Sequence, residues 1–188
     1  MKFVLASKSP RRRELLSEIV TDFEILTREC DETLPAGVHP GRGVEILAIR
    51  KGEAVLSETS DDALIISSDT LVELDGTALG KPRDREDARR MLRSLSGRGH
   101  NVHTGVAVHY RGQVFSGVDS TAVYFRPLTE KEIDEYIDSG EPMDKAGSYG
   151  IQGLGGRFVE RYEGRFDTVV GLSLCLTERL VKEAQSCE

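Results

Sequence analysis

The sequence has few cysteines, no long apolar run and no excess of positive charge, and each absence narrows the classes of protein that fit. The three cysteines, Cys30, Cys175 and Cys187, are odd in number and form no C-x-x-C pair. We therefore expect reduced thiols in a reducing compartment and no disulfide framework or cysteine zinc site. No apolar stretch approaches the roughly 18 residues that indicate a membrane span, and Lys8 and Arg11 come too early for a signal peptide. A cytoplasmic protein is expected.

Net charge argues against nucleic acid or an anionic membrane as the partner. The 188 residues carry a formal charge of −7, with 38% hydrophobic and 30% charged residues. Such a chain buries a sizeable core, and any basic residues gathered at one place need a local reason. No repeats or low-complexity tracts are visible. We predict one domain over 1–188, within which residues from about 84 to 141 are a candidate subsidiary lobe.

Alternating strand-like and helix-like segments predict a mixed α/β or α+β fold. Capping and periodicity predict helices from Pro10, over 44–56, from Asp84 to Leu95, from Thr129 to Gly140 and over 168–184. Apolar runs predict strands over 3–6, 23–26 and 63–68, a hairpin tip at Asp75-Gly76, and a long hairpin of 100–110 and 113–125.

A serine- and arginine-rich turn follows the first strand. Ser9 is a good N-cap and Pro10 a good first helical residue, so free N–H groups of the helix should lie beside Ser7, Arg11 and Arg12. A helix N-terminus with added cations suits phosphate. The alternative, in which Ser9 only caps and the arginines are solvated, stays open from these residues alone.

Asp69 interrupts an apolar strand pattern. A buried carboxylate without a partner costs several kcal/mol (about 3–5 kcal/mol when a buried pair is broken), so a cation or metal is expected nearby. The alternative is a hydrogen-bonded carboxylate at a strand bend. Three other polar clusters, Asp31-Glu32, Lys51 and Gly80-Lys81-Pro82, are weak individually. For the two lysines alone, solvated side chains are the preferred interpretation.

A second glycine-rich stretch covers residues 144–156. It lacks the strand, turn and helix of a dinucleotide fingerprint, and the stretch 76–81 lacks the spacing of a P-loop. Glycines permit close backbone approach to a ligand. Tyr149, Ile151 and Gln152 give the segment side chains suited to a flat polar base.

Taken together and in chain order, these motifs resemble the Maf family, also called septum formation inhibitor proteins, over almost the whole chain. The resemblance implies a nucleoside triphosphate pyrophosphatase with an ITPase-like mixed α/β fold, two lobes around a central cleft and a long twisted sheet flanked by helices. It also implies a homodimer and a divalent metal. The matching residues are 5–12, Asp31-Glu32, Lys51, Ser68-Asp69-Thr70, Gly80-Lys81-Pro82, Ser96-Gly97, His103-Thr104-Gly105, 145–147 and 151–153.

Within the family, the chain resembles the dTTP/UTP pyrophosphatase subgroup through Arg12, Thr70 and Gln152. The amide of Gln152 offers one acceptor and two donors, which match the N3–H and O4 of uracil or thymine. Modified pyrimidine nucleotides are further candidate substrates. The chain departs from the family at Gly52, where family members commonly have alanine. A glycine inside a helix costs about 1 kcal/mol of helix propensity, so the departure bears on the local helix and not on the role of Lys51.

Cleavage between the α and β phosphates requires neutralised oxygens and an activated water. We assign Ser7, Arg11, Arg12, Lys51 and Lys81 to the triphosphate, with both lysines counted as catalytic. Glu32 and Asp69 are assigned to water and to Mg²⁺, for which Mn²⁺ or Co²⁺ are alternatives. Asp69 is the first candidate for general base, although the sequence alone also allows Glu32 and Asp69 to exchange roles.

Two alternatives remain at this level. The first is a nucleotide-binding regulator of cell division that acts through protein partners. Such a protein would lack one of the carboxylates or lysines assigned to catalysis, and none of these residues is missing here. A kinase-like or γ-phosphate-cleaving enzyme would release or transfer a single phosphoryl group, so its products would differ.

Overall fold

A computed structural model describes residues 2–187, which form one seven-stranded mixed sheet with six α-helices. The strands are β1 (Lys2–Leu5), β2 (Glu24–Ile25), β3 (Ala63–Leu74), β4 (Thr77–Leu79), β5 (Gly99–Tyr110), β6 (Gln113–Phe125) and β7 (Val159–Glu163). The helices are α1 (Pro10–Ser17), α2 (Pro40–Glu53), α3 (Arg85–Leu95), α4 (Glu130–Asp138), α5 (Phe166–Val170) and α6 (Leu174–Gln185). The mixed α/β class predicted from the sequence is confirmed.

The sheet has the order β2-β1-β3-β5-β6-β7, and β4 pairs with β3 beyond the end of β1. β1 is parallel to β2 and β3, whereas β3, β5, β6 and β7 pair antiparallel in sequence order. The long strands β5 and β6 form the hairpin expected around Arg111-Gly112, with Tyr110 opposite Gln113. Both turn residues have positive φ, as a two-residue hairpin turn demands.

Two apolar clusters lie on the same face of the sheet, one toward each end of β3. They share a face because alternate residues of a strand point to the same side, and even-numbered residues of β3 belong to both clusters. Leu64 and Ile66 pack with α1 and α6, whereas Val72 and Leu74 pack with α3 and α4. Ile151 lies partly buried against both clusters. The opposite face carries α2, and Ser67 Oγ donates to the Ala48 carbonyl oxygen of that helix at 2.7 Å.

Several predicted boundaries are wrong for local reasons. The helix predicted over 168–184 is two helices, because Gly171 adopts φ 131° and Ser173 caps a new helix at Leu174. α2 begins at Pro40, earlier than expected, since His39 caps it by accepting from Gly41 N–H. β3 continues through Asp69 to Leu74 without interruption. Within residues 2–187, no helix combines the length and apolarity that crossing a bilayer requires.

Candidate active site

A gap in strand pairing opens along one edge of β3. On that edge β1 pairs with β3 only as far as Leu5 opposite Ile66, and β4 pairs with β3 only from Val72 onward, where Val72 lies opposite Leu79, the last residue of β4. On the other edge β5 pairs with the intervening residues 67–71 throughout. Because β1 and β2 run parallel to β3 and β4 runs antiparallel, all three end at the gap. Loops at strand carboxyl ends are where α/β sheets place their ligands.

Lys51 joins two carboxylates at this gap. It lies in the last turn of α2, and its ammonium group donates a hydrogen bond to Asp69 Oδ1 and lies 2.9 Å from Glu32 Oε1. The Asp69 residue is only 8% exposed, whereas the Glu32 side chain is 65% exposed. The partner expected for a buried Asp69 is therefore a lysine of the neighbouring helix.

The charges of this cluster reinforce one another. Burial opposes the charge of Lys51, but the carboxylate of Asp69 and hydrogen bonds to both carboxylates hold the pKa of Lys51 above its ordinary value. The hydrogen bond from Lys51 lowers the pKa of Glu32, and the nearby charges of Lys51, Lys81 and Arg12 lower it further. Lys51 and Glu32 are consequently charged at neutral pH. Lys81, although exposed, lies within electrostatic range of Glu32.

Alternation along β3 distributes the site over both faces of the sheet. Asp69 shares its face with Ser67 and therefore faces α2 and Lys51. Ser68 and Thr70 point to other neighbours: Ser68 Oγ donates to the Gly171 carbonyl oxygen at 2.9 Å. The Thr70 hydroxyl lies 2.9 Å from that of Thr104.

Arg12 connects the first turn of α1 to β3 and to the bend between α5 and α6. Ser9 caps α1 and Pro10 opens it, as predicted. The guanidinium donates to the carbonyl oxygens of Ser68 at 2.7 Å and Gly171 at 2.9 Å. Burial lowers the pKa of Arg12, and the charge of Asp69 opposes that shift. Arg12 is thus a fixed cation with most of its donors already used.

Arg12 is also hydrogen-bonded to two hydroxyl groups, those of Thr70 and Ser7. Arg12 Nη2 lies 3.3 Å from Thr70 Oγ1, and Nη1 lies 3.5 Å from Ser7 Oγ. Ser7 is buried and also accepts from the Ser9 N–H at 3.2 Å. Arg11 is half-buried, and its charge lowers the pKa of Asp144. Ser7, Arg12 and Thr70 therefore form one connected group, with Arg11 beside it.

The segment 146–152 reaches one end of the same gap at Gly147, where an added Cβ would lie 2.8 Å from Val72 Cγ2. Gly147 N–H donates to the Gly80 carbonyl oxygen at 3.0 Å, which ties this segment to the end of β4 that carries Lys81. Gln152 is exposed and forms no hydrogen bond with residues 2–187. The expectation for Tyr149 is wrong: it is a core residue whose hydroxyl lies 2.8 Å from His100 Nε2. Its burial leaves no face for a base.

Sequence reasoning missed the backbone of Gly171, which accepts from both Arg12 and Ser68. Its only signal was a glycine inside a predicted helix. No group of three or more histidine, cysteine or acidic side chains within residues 2–187 is arranged to hold a metal by itself. The donor chemistry of Glu32 and Asp69 nevertheless fits Mg²⁺, which binds through one or two carboxylates and completes its shell with water and substrate phosphates. Both carboxylates already share one cation, Lys51.

Comparison with known proteins identifies the family of this chain. The family model "Maf-like protein" matches residues 2–184. A dTTP/UTP pyrophosphatase of Vibrio cholerae is 51% identical over 180 residues, covering 96% of each chain. One of Bacillus velezensis is 46% identical over 182 residues, covering 97% of this chain and 96% of the relative. The Ham1 protein of Staphylococcus aureus shares the fold, with a TM-score of 0.54 at 15% identity over 99% of this chain and 97% of its own. The chain is a member of the Maf family.

Proposed function

We propose that this protein hydrolyses dTTP and UTP to the nucleoside monophosphate and pyrophosphate. The observation that carries the proposal is the contact of Lys51 with both Asp69 and Glu32 at the unpaired edge of β3. Relatives at 51% and 46% identity named dTTP/UTP pyrophosphatase support the substrates. Modified pyrimidine nucleotides fall within the same proposal.

The cations serve the triphosphate. Lys51, Lys81 and Arg11 lie around the gap, and positive charge there offsets the negative charge of the phosphate oxygens in the transition state. Arg12 contributes its charge from a fixed position and holds Thr70 and Ser7 in place. The cations assigned to the triphosphate thus come from α1, α2 and the loop after β4, which are brought together only by folding.

Asp69 is the better placed general base. Its carboxylate is buried and fixed by Lys51, so it can accept a proton from a water that attacks phosphorus at the α–β bridge. The new P–O bond replaces the bridging P–O bond, and pyrophosphate leaves. Glu32 and Asp69 would hold Mg²⁺, which supplies further positive charge to the phosphate oxygens.

Identification of the products tests the proposal. Purified protein is incubated with dTTP and Mg²⁺, and the nucleotides are separated by ion-exchange chromatography while pyrophosphate and orthophosphate are assayed separately. We expect dTMP and pyrophosphate in equal amounts. Primary release of dTDP and orthophosphate would indicate γ-phosphate cleavage. Nucleotide binding without turnover of any triphosphate would support the alternative, a regulator of cell division that acts through partners.

We also propose, from the family resemblance, that the protein is a cytoplasmic homodimer that acts on free nucleotides. Light scattering of the purified protein at micromolar concentration tests the dimer, for which twice the chain mass of 20.7 kDa is expected. A monomer under assay conditions would contradict it.

A further inference from the structure

A pair of side chains holds both ends of the turn that carries Gln152. The Gly153 N–H donates to the Gly150 carbonyl oxygen at 3.3 Å, which places Gln152 at a central position of a tight turn. The hydroxyl of Tyr136 accepts from the Gly150 N–H at 3.1 Å on the entering side. Glu141 accepts from the N–H groups of residues 154 and 155 on the leaving side, at 2.9 and 3.2 Å.

The two side chains are themselves joined. Tyr136, fully buried in α4, donates its hydroxyl hydrogen to Glu141 Oε1 at 2.8 Å. Burial opposes the charge of Glu141, but hydrogen bonds from Leu154 N–H, Tyr136 and Gly155 N–H keep its pKa below the ordinary value. An ionised Glu141 accepts at both oxygens, which is what three donors require.

Close approach explains the glycines of this turn. A Cβ at Gly153 would lie 2.5 Å from both carboxylate oxygens of Glu141. One at Gly155 would lie 2.6 Å from the Tyr136 hydroxyl, and one at Gly156 would lie 2.4 Å from the Ile151 carbonyl oxygen. At Gly153 and Gly155 the backbone therefore lies so close to the Tyr136–Glu141 pair that a side chain at either position would have to displace it.

We propose that Tyr136 and Glu141 are positioning residues for base selection, acting by holding the Gln152 turn in a preorganised conformation. The inference rests on the proposed function. Gln152 has no hydrogen bond of its own within residues 2–187, so its direction depends on the backbone that carries it. Rigid support of this kind raises affinity by removing the ordering cost that a free loop pays on binding.

Two conservative variants test the role. Tyr136→Phe removes the hydroxyl that accepts from Gly150 and donates to Glu141. Glu141→Gln keeps the shape but replaces one acceptor oxygen by a donor, so at least one of the three hydrogen bonds is lost. For each we expect kcat/KM on dTTP and UTP to fall at least about fivefold, mainly through KM, the effect expected from one lost hydrogen bond. The slow rates on ATP and GTP, which do not use the Gln152 contact, should stay within about twofold of wild type on the same reasoning.

The control is Tyr149→Phe, which removes a buried hydroxyl of the same apolar cluster that bonds His100 and not the turn. It should leave the ratio of pyrimidine to purine kcat/KM unchanged. In a Gln152→Ala background, Tyr136→Phe should have no further effect on that ratio, because the side chain it orients is absent.

Each other outcome is informative. Equal losses on all four nucleotides, tracking a lower melting temperature, would reduce the pair to a structural role and overturn the inference, as would unchanged kinetics in both variants. A wild-type enzyme that shows no pyrimidine preference, or that releases orthophosphate, would instead overturn the proposed function. If Tyr136→Phe does not fold, Glu141→Gln alone decides, since it alters one partly exposed side chain.

Discussion

The imidazole of His109 occupies the space that a side chain at Gly52 would need. A Cβ at Gly52 would lie 2.3 Å from both Cδ2 and Nε2 of His109, and 2.9 Å from Ser67 Oγ. Gly52 follows Lys51 in α2, and His109 projects from β5. Gly52 is therefore required by a histidine on the strand against which α2 packs. Helix propensity is sacrificed so that α2 can approach the sheet closely.

Gly52→Ala should destabilise the protein despite its better helix propensity. The overpacked contact costs about 1–3 kcal/mol, which outweighs a propensity gain of about 1 kcal/mol when the ring cannot move away. Urea denaturation measures the difference. In a His109→Ala background the same substitution should destabilise the protein less, because only the 2.9 Å contact with Ser67 Oγ remains. Equal effects in the two backgrounds would show that the two residues are not coupled.

Asp69→Asn should leave the fold intact and lower kcat at least about a hundredfold, because general-base catalysis contributes roughly 10²–10⁴ and the amide cannot accept the proton. The matched control is Glu73→Gln, which makes the same chemical change on the same strand and the same face. The Glu73 carboxylate lies 2.6 Å from His103 Nε2 and does not contact Lys51. Steady-state rates with dTTP and circular dichroism of both variants make the comparison. Near wild-type turnover of Asp69→Asn would remove Asp69 from the mechanism.

Glu32→Gln should raise the Mg²⁺ concentration needed for half-maximal activity more than it lowers the rate at saturating Mg²⁺. A neutral amide is a weaker ligand than a carboxylate, and Glu32 is the exposed member of the pair. A titration of rate against Mg²⁺ at fixed dTTP gives both quantities. An unchanged midpoint would argue that Glu32 serves only Lys51. Removal of divalent metal with EDTA should abolish wild-type activity, and added Mg²⁺ should restore it.

Local signals predicted much of the fold. Capping marked the start of α1, α3 and α4, and alternation with turn residues marked the β5–β6 hairpin. The bend at Gly171 escaped prediction because the apolar periodicity of the two last helices is nearly continuous across it. Its cause is tertiary: Asp167 accepts from the Leu174 N–H at 2.9 Å, and the Gly171 carbonyl oxygen serves Arg12.

The residues of the candidate site were named from the sequence, but the contact between Asp69 and Lys51 was not predicted. Sequence reasoning expected a cation near Asp69, and the structure supplies Lys51, which the same reasoning treated as solvated when taken alone. Residues on different elements meet only through the sheet order, which spacing along the chain does not contain. Tyr149 was wrongly predicted to face a base, because a tyrosine among glycines resembles a loop residue, whereas its ring packs against Phe125.

Acidification from pH 7 to pH 5 should destabilise the protein through buried histidine. Burial lowers the pKa of His100 to about 4, whereas the unfolded chain has a value of about 6.5. The unfolded state therefore binds the proton first, and stability present above about pH 6.5 is lost as the pH falls toward 4, by about 2 kcal/mol at pH 5. Burial lowers the pKa of His109 in the same direction.

The variant His100→Gln separates this effect from the carboxylates. Asp87 and Glu132 have pKa values of about 2, so their contribution to the free energy of unfolding is lost mainly below about pH 5. Urea denaturation at pH 7 and pH 5 should show a smaller difference between the two pH values for His100→Gln than for wild type. The same loss in both proteins would place the acid sensitivity elsewhere.

Gln152→Glu should erode the preference for pyrimidine nucleotides. The wild-type amide pairs one donor and one acceptor with O4 and N3–H of uracil or thymine, whereas a carboxylate has no donor for O4. One mispaired polar group in a desolvated pocket costs about 1–3 kcal/mol, so wild type should favour dTTP and UTP over ATP and GTP at least about tenfold in kcat/KM. The variant should lose most of that factor through its pyrimidine rates, and guanine, which presents paired donors, should gain. Values of kcat/KM for dTTP, UTP, CTP, ATP and GTP on both proteins provide the measurement. A wild-type enzyme equally active on all five would refute the base contact, since Gln152 would then touch no part of the substrate that differs among them.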